Sequence, residues 1–244
     1  MRAFTTAWRA MASYYGELFT LLGINVLWWI TGGIFIGLAA LLAWSGFVTG
    51  SLWVFLVAPL AAIPAGPASA ALANVTRPVA RELRVNSSFY WEGFRTYWRT
   101  ALIAGAISMA LLVVLLLNLW FYWNRSGVLQ LVAFFWLYLV LLWLSAQIYL
   151  YPVIVGLKEP TLKNILRTTV VVALANPFYT AVLALLALML TALSVGLPIL
   201  LPFAWPSVML LLGEHSMIVF VERLGGSPQE SKEGHTDVDA NHIR

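Results

Sequence analysis

Polar residues interrupt this chain rarely. Between them lie apolar runs at 18–44, 52–73, 101–123, 128–155, 177–197 and 202–221. Each holds ~20 residues or more, enough as a helix to cross a hydrocarbon core of about 30 Å. Lipid offers the backbone no hydrogen-bond partners, so runs of this kind close their bonds internally as helices. A membrane β-barrel would instead show ~10-residue segments of alternating polarity. The pattern predicts an all-α polytopic membrane bundle, a single six-span transmembrane domain over 1–224. Residues 225–244 carry no periodicity and read as a disordered cytoplasmic tail.

Helical spacing continues in some connections. Ser87 and Ser88 suit a helix N-cap. Beyond them Trp91, Phe94 and Trp98 share one face, while Glu92, Arg95 and Arg99 share the other. That arrangement predicts an amphipathic helix lying in the membrane interface. A weaker version follows Pro160, where Leu162, Ile165 and Leu166 oppose Lys163, Asn164 and Arg167. A third lies at the start, where residues 4–10 match 94–101 as F-x-x-x-W-R. The recurrence fits three repeated units. It fits slightly better the shared physics of segments that precede a span.

The second run contains helix breakers. Pro59, Pro64 and Pro67 withdraw the hydrogen bonds of the Phe55, Leu60 and Ile63 carbonyls. Those carbonyls are expected to need cover from other helices or a wet cavity. Gly66-Pro67 predicts a break and a restart, with Pro67 where its missing donor costs nothing. Ala62, Gly66 and Ala70 recur at four-residue spacing, a small-residue stripe that lets backbones approach closely. The second span is therefore expected to be bent or interrupted at the bundle centre. A discontinuous helix at a substrate site is one version. A tightly packed kinked helix is the simpler one, since glycine and proline are common in membrane helices.

Charge adds an orientation. The chain is 61% hydrophobic and 10% charged, against about 25% charged in soluble domains. Of its 14 Lys and Arg, all but Arg125 fall at the termini or in the second and fourth connections. Basic residues near spans mark the cytoplasmic side. Six spans with both termini cytoplasmic satisfy that distribution. Trp44, Trp53, Trp120 and Trp123 then mark the outer interface, and Tyr15, Trp91, Trp98 and Tyr151 the inner one. The net charge of +4 thus belongs to topology and to anionic membrane lipids, not to nucleic acid. Residues 1–16 lack the short apolar core of a cleavable signal, so the first run reads as an anchor. The absence of cysteine excludes disulfides, thiolate metal sites and cysteine nucleophiles.

Candidate chemistry is sparse. Glu214-His215 stands inside the last run. An ionisable pair at such depth is a functional candidate that could relay protons or hold a cation; the simpler readings are that the span ends near Gly213, with Glu214 to Glu222 a cytoplasmic extension, or that Glu214 pairs with an arginine of a neighbouring connection. Asn25, Trp29 and Gly33 form one stripe; Trp136, Val140, Trp143, Gln147 and Tyr151 form another. Such faces could line a ligand pathway together with Pro64, Gly66 and Pro67, but more often they cross-link helices. No nucleophile elbow, zinc-protease helix, P-loop or dinucleotide fingerprint occurs. The expectation is a non-enzyme without cofactor or metal. No connection shows the coupling loop of a binding-protein-dependent sugar permease.

From Gly16 to about Leu115 the chain resembles the YesL-like family of bacterial membrane proteins, a domain family of unknown function. Asn25, Trp28 and Trp29 carry the likeness, followed by Pro64, Gly66, Pro67, Ser69 and Ala70. Phe89, Tyr90, Trp91, Phe94 and Arg95 complete it. The family usually has a threonine shortly before the glycine, where this chain has Pro64-Ala65. The resemblance implies the bacterial inner membrane and an association with carbohydrate uptake. Sugar transporter subunits would then be partners, met through the small-residue face of Ala62, Gly66 and Ala70 or through Trp91, Phe94, Arg95, Trp98 and Arg99. It supplies no catalytic residues and leaves self-association open. The leading expectation is an accessory uptake component. A transporter or channel using Glu214 and the broken helix is the alternative, and a lipid-interacting scaffold a third.

Overall fold

A computed structural model describes residues 2–197 and 200–223, and no strand occurs among the described residues. The expected tail at 225–244 lies outside them. Helix α1 (Arg2–Gly16) leads into α2 (Leu18–Trp28), a π-helical turn (Trp29–Gly33) and α3 (Ile34–Thr49). Gly50, at φ 66°, ends α3 in the left-handed conformation that glycine adopts without strain. Next come α4 (Leu52–Val57), a 3-10 turn (Ala58–Ala62) and α5 (Ala65–Val79). Two long helices follow, α6 (Ser88–Trp123) and α7 (Val128–Gly156). Helices α8 (Leu162–Ala175) and α9 (Pro177–Gly196) meet at Asn176, whose side chain caps α9 by accepting from the Tyr179 amide at 3.4 Å. The short α10 (Leu200–Phe203) precedes α11 (Trp205–Arg223).

Among the described residues, four helical stretches are long and apolar enough to cross a membrane: Leu18–Thr49, Ser88–Trp123, Val128–Gly156 and Pro177–Gly196. The pair Leu52–Ala62 and Ala65–Val79, bent by 42°, makes five if it counts as one span. The sixth expected span corresponds to α11, which is not among them and carries Glu214 and His215 at its middle.

Helix α5 is the hub. Ala65 through Ala73 are buried without interruption, and Val75, Thr76 and Val79 follow. The turns around Trp29–Gly33 and helices α6, α7 and α11 surround it. Small side chains make this possible. A Cβ on Gly66 would stand 2.8 Å from the Ala101 carbonyl oxygen, and one on Gly93 2.5 Å from the Asn74 Cβ. Large apolar side chains farther out, such as Ile34, Leu38, Leu41, Trp53, Ile103, Leu141 and Leu188, are exposed. In water they would be an unmatched patch; here they form the lipid-facing surface.

The segment expected to lie in the interface as its own helix is instead the opening of α6. With 36 residues, α6 runs about 54 Å, well beyond the ~30 Å of hydrocarbon, so it tilts or projects past it. Its cap also differs from expectation. Neither Ser87 nor Ser88 supplies one; Asn86 Oδ1 accepts from the Ser88 amide at 2.8 Å and from the Ser88 hydroxyl.

Candidate functional site

The bend in the second span closes its own hydrogen bonds. The Ile63 amide donates to the Leu60 carbonyl at 3.2 Å, and the Gly66 amide to the Ile63 carbonyl at 3.0 Å. Tighter i→i+3 bonds thus satisfy two carbonyls that Pro64 and Pro67 withdraw from the α-helical ladder. For Leu60 and Ile63 the freed carbonyls thus bond to local amides in 3-10 geometry, while neighbouring helices cover the restart of the helix at Ala65. Pro64 itself is exposed, and Pro67 sits buried in the first turn of α5. The expected Ala62, Gly66, Ala70 stripe is cut as well. Ala62 ends the 3-10 turn, half-buried, whereas Gly66 and Ala70 lie within a helix covered on all sides.

A polar seam joins this hub to its neighbours. Trp28 Nε1 donates to Ser69 Oγ at 3.2 Å, and Ser69 Oγ donates to the Ala65 carbonyl at 3.0 Å. The Tyr151 hydroxyl also bonds Ser69. Thr31 Oγ1 donates to the Leu27 carbonyl at 2.8 Å, which leaves the fully buried Tyr90 hydroxyl to donate to Thr31 at 2.6 Å. The π turn allows this. It brings Gly32 so near α5 that a Cβ would lie 2.5 Å from the Ala68 Cβ. The expected stripe of Asn25, Trp29 and Gly33 is broken by the same turn. Asn25 and Trp28 face the core, while Trp29 is half-buried and packs over Gly33. Removing the Tyr90 hydroxyl is a mild lesion. Tyr90→Phe is expected to cost about 1 kcal/mol, the scale of one interhelical bond in a membrane, measured by thermal unfolding in detergent.

The remaining predicted residues behave as cross-links. Trp143 Nε1 donates to the Ser108 carbonyl at 3.1 Å, and Ser108 Oγ donates to Gln147 Oε1 at 3.2 Å. These bonds clamp α6 to α7. Asn25 Nδ2 donates to the Phe203 carbonyl, and Ser207 Oγ donates to Asn25 Oδ1 at 2.6 Å.

Glu214 and His215 are both buried, 5% and 8% exposed. His215 Nε2 and Ser13 Oγ share a hydrogen bond of 3.0 Å. Glu214 Oε1 is a buried oxygen without a hydrogen-bond partner. The charges acting on this carboxylate are Arg77 and Arg81, at the end of α5 and just beyond it. Burial lowers the Arg81 guanidinium from its ordinary value, and Arg77 beside it pushes the same way, while Glu214 opposes both. Arg77 Nη2 also donates to the Gly156 carbonyl at 3.5 Å. A nearby cleft of about 20 Å³ lies between Tyr149, Asn176, Tyr179 and Ser216. It has room for a water molecule but not for a sugar ring. Among the described residues no group of three or more metal-ligating side chains converges.

At the opening of α6 the polarity is the reverse of a core-facing aromatic face. Tyr90, Gly93, Ala101 and Ala104 point inward. Trp91 and Trp98 remain 44% and 42% exposed, with Arg95 and Arg99 exposed and Phe94 half-buried. Sequence reasoning missed Thr31, Ser69, Tyr90 and Ser13 as organising residues. The available signal was hydroxyl groups beside glycine and alanine inside apolar runs, where a lone polar group in lipid must find a partner.

These features define a polytopic helical membrane protein with a closed, proline-bent hub. Residues 47–119, which hold the bent span and most of α6, match the model of the family described as "Protein of unknown function, DUF624", the family that includes the YesL-like proteins. No curated protein and no solved structure matches the chain.

Proposed function

We propose that this protein is an accessory component of a carbohydrate-uptake system in the bacterial inner membrane, one that binds a transporter subunit rather than carrying solute itself. The opening of α6 is the docking element. The observation that carries this reading is the contrast between the two sides of that segment. Its inner side is locked onto the Trp29–Gly33 turn by Tyr90 and onto α5 by Gly93, while Trp91, Arg95, Trp98 and Arg99 are exposed on the outside. Aromatic and arginine side chains on a rigid support are the usual anchors of protein interfaces. Both termini lie in the cytoplasm in this reading, and the sugar association rests on the family resemblance.

The test is copurification from native membranes. Trp91→Ala with Trp98→Ala is expected to leave folded protein unchanged, because neither ring belongs to the core, and to lose copurifying transporter subunits. Unchanged copurification would refute the docking role. A second reading, solute or proton transport, draws on the unpartnered Glu214 oxygen. The closed packing around Pro67–Ala73 argues against a pathway there. Liposomes holding this protein alone are therefore expected to stay tight to sugars and protons. Flux abolished by Glu214→Gln would transfer the function to transport.

A further inference from the structure

Helix α1 has two faces of different purpose. Ala3, Thr6, Ala10 and Tyr14 are buried and pack toward α11 and α9. Three side-chain bonds pin that face. The hydroxyls of Thr6 and Tyr179 are 2.9 Å apart, Ser13 meets His215 at 3.0 Å, and the Tyr14 hydroxyl donates to the Phe203 carbonyl at 2.7 Å. The opposite face carries Phe4, Trp8, Met11 and Tyr15, exposed at 65%, 76%, 37% and 68%. At about 100° per residue these side chains fall within a narrow sector of the helix. Phe19, 88% exposed at the start of α2, is the next exposed ring along the chain.

We infer that α1 is an in-plane helix whose Phe4, Trp8, Met11 and Tyr15 stripe seats in the headgroup layer of an anionic membrane leaflet. The buried face already has its partners, so the stripe is a second surface and not misplaced core. A lipid surface is favoured over a protein because α1 leads within two residues into the candidate span Leu18–Thr49, whose first turns expose Phe19, Val26 and Ile30. Charge agrees. Arg9 is exposed beside the stripe, and α1 contains no acidic residue. Tryptophan and tyrosine prefer the interface, where ring and polar edge are both accommodated. Exposed Phe4, Trp8 and Arg9 stand at the positions that Phe94, Trp98 and Arg99 hold in α6. This inference does not depend on the transporter partner proposed above.

The natural absence of cysteine makes the test direct. Single cysteines at Trp8, Met11, Ala12 and Tyr15 of the full chain receive a nitroxide label. Each labelled protein enters vesicles of phosphatidylcholine with phosphatidylglycerol. Labels at Trp8, Met11 and Tyr15 should collide preferentially with oxygen, and the label at Ala12 with a water-soluble nickel chelate. Equal accessibility at Met11 and Ala12 overturns the assignment. So does a stripe shielded from both reagents, because protein would then cover it. In a second arm, brominated phosphatidylglycerol and brominated phosphatidylcholine compete to quench a fluorophore at Met11. The anionic lipid should quench more efficiently, and Arg9→Gln should reduce that preference by roughly fivefold, the contribution of one basic side chain near such a surface. No preference in the unsubstituted chain overturns the anionic-headgroup assignment.

Discussion

Gly213→Ala is expected to destabilise the protein by about 2 kcal/mol, and Gly213→Val by about 3 kcal/mol or more, the range of an overpacked core. A Cβ at Gly213 would lie 2.3 Å from the Ile148 carbonyl oxygen and 2.9 Å from Pro152 Cγ. One obstacle is backbone and the other a ring, so neither can swing aside. The contact has a cause in the sequence. Pro152 has no amide proton to give the carbonyl four residues earlier, which is that of Ile148. Helix α11 fills the space beside that carbonyl with a residue that has no side chain. A methyl group there must push α11 away from α7, and Glu214 and His215 move with it. Thermal unfolding in detergent followed by circular dichroism measures the cost. Gly23→Ala is the control, because nothing lies within 4 Å of a Cβ at Gly23. Its change should stay within about 1 kcal/mol, the helix-propensity scale. Gly213→Ala as stable as Gly23→Ala would show that α11 and α7 do not meet in this way.

The Gly213 contact also shows what the sequence reveals and what it hides. Apolar run length exposes the helical membrane class directly, because crossing lipid requires length, low polarity and internal hydrogen bonding together. The bend in the second span was legible for the same kind of reason, since proline acts on its own backbone wherever it stands. The partners of the freed carbonyls were not legible. Whether Leu60 and Ile63 turn to a neighbouring helix, to water or to amides three residues on depends on dihedral angles that residue identity leaves open. The chain uses the nearest amides, and so the second span can be dry.

Faces were harder to read than elements. The opening of α6 displays tryptophan outward, with Tyr90 bonded inward to Thr31 and Gly93 set against Asn74 of α5. Helical spacing places Trp91, Phe94 and Trp98 on one face of an interfacial helix, and the structure makes that face the outer side of a longer helix. The π turn at Trp29–Gly33 likewise shifts every later residue around the helix axis, so a stripe drawn at constant spacing from Asn25 breaks there. Glycine neighbours on Trp29 and Thr31 were compatible with a π turn without demanding one. The number of spans is limited by another ambiguity. A helix with Glu214 at its middle can sit in a bundle when Arg77 of α5 and Arg81 just beyond it act on the carboxylate, and its own composition does not report those arginines.

Asn25→Leu is expected to cost about 2 kcal/mol and to leave partner copurification intact in the protein that remains folded. Asn25 is fully buried, and both ends of its amide are used, one on the Phe203 carbonyl and one on Ser207. Leucine fills a similar volume but returns neither bond. Phe203 keeps the Tyr14 hydroxyl as a donor, so the larger loss falls on Ser207, which is buried with its hydroxyl directed at Asn25. Interhelical bonds in membranes average about 0.6 kcal/mol and reach about 1.7 kcal/mol. Two of them, one leaving a buried hydroxyl unmatched, set the expected size. A double-mutant cycle isolates the pair. Asn25→Leu combined with Ser207→Ala should cost less than the sum of the single changes, by about 1 kcal/mol, because the second substitution removes the group that the first left without a partner. Strict additivity would mean that α2 and α11 are not joined through this amide. Loss of copurification at unchanged stability would instead make Asn25 a ligand or partner contact.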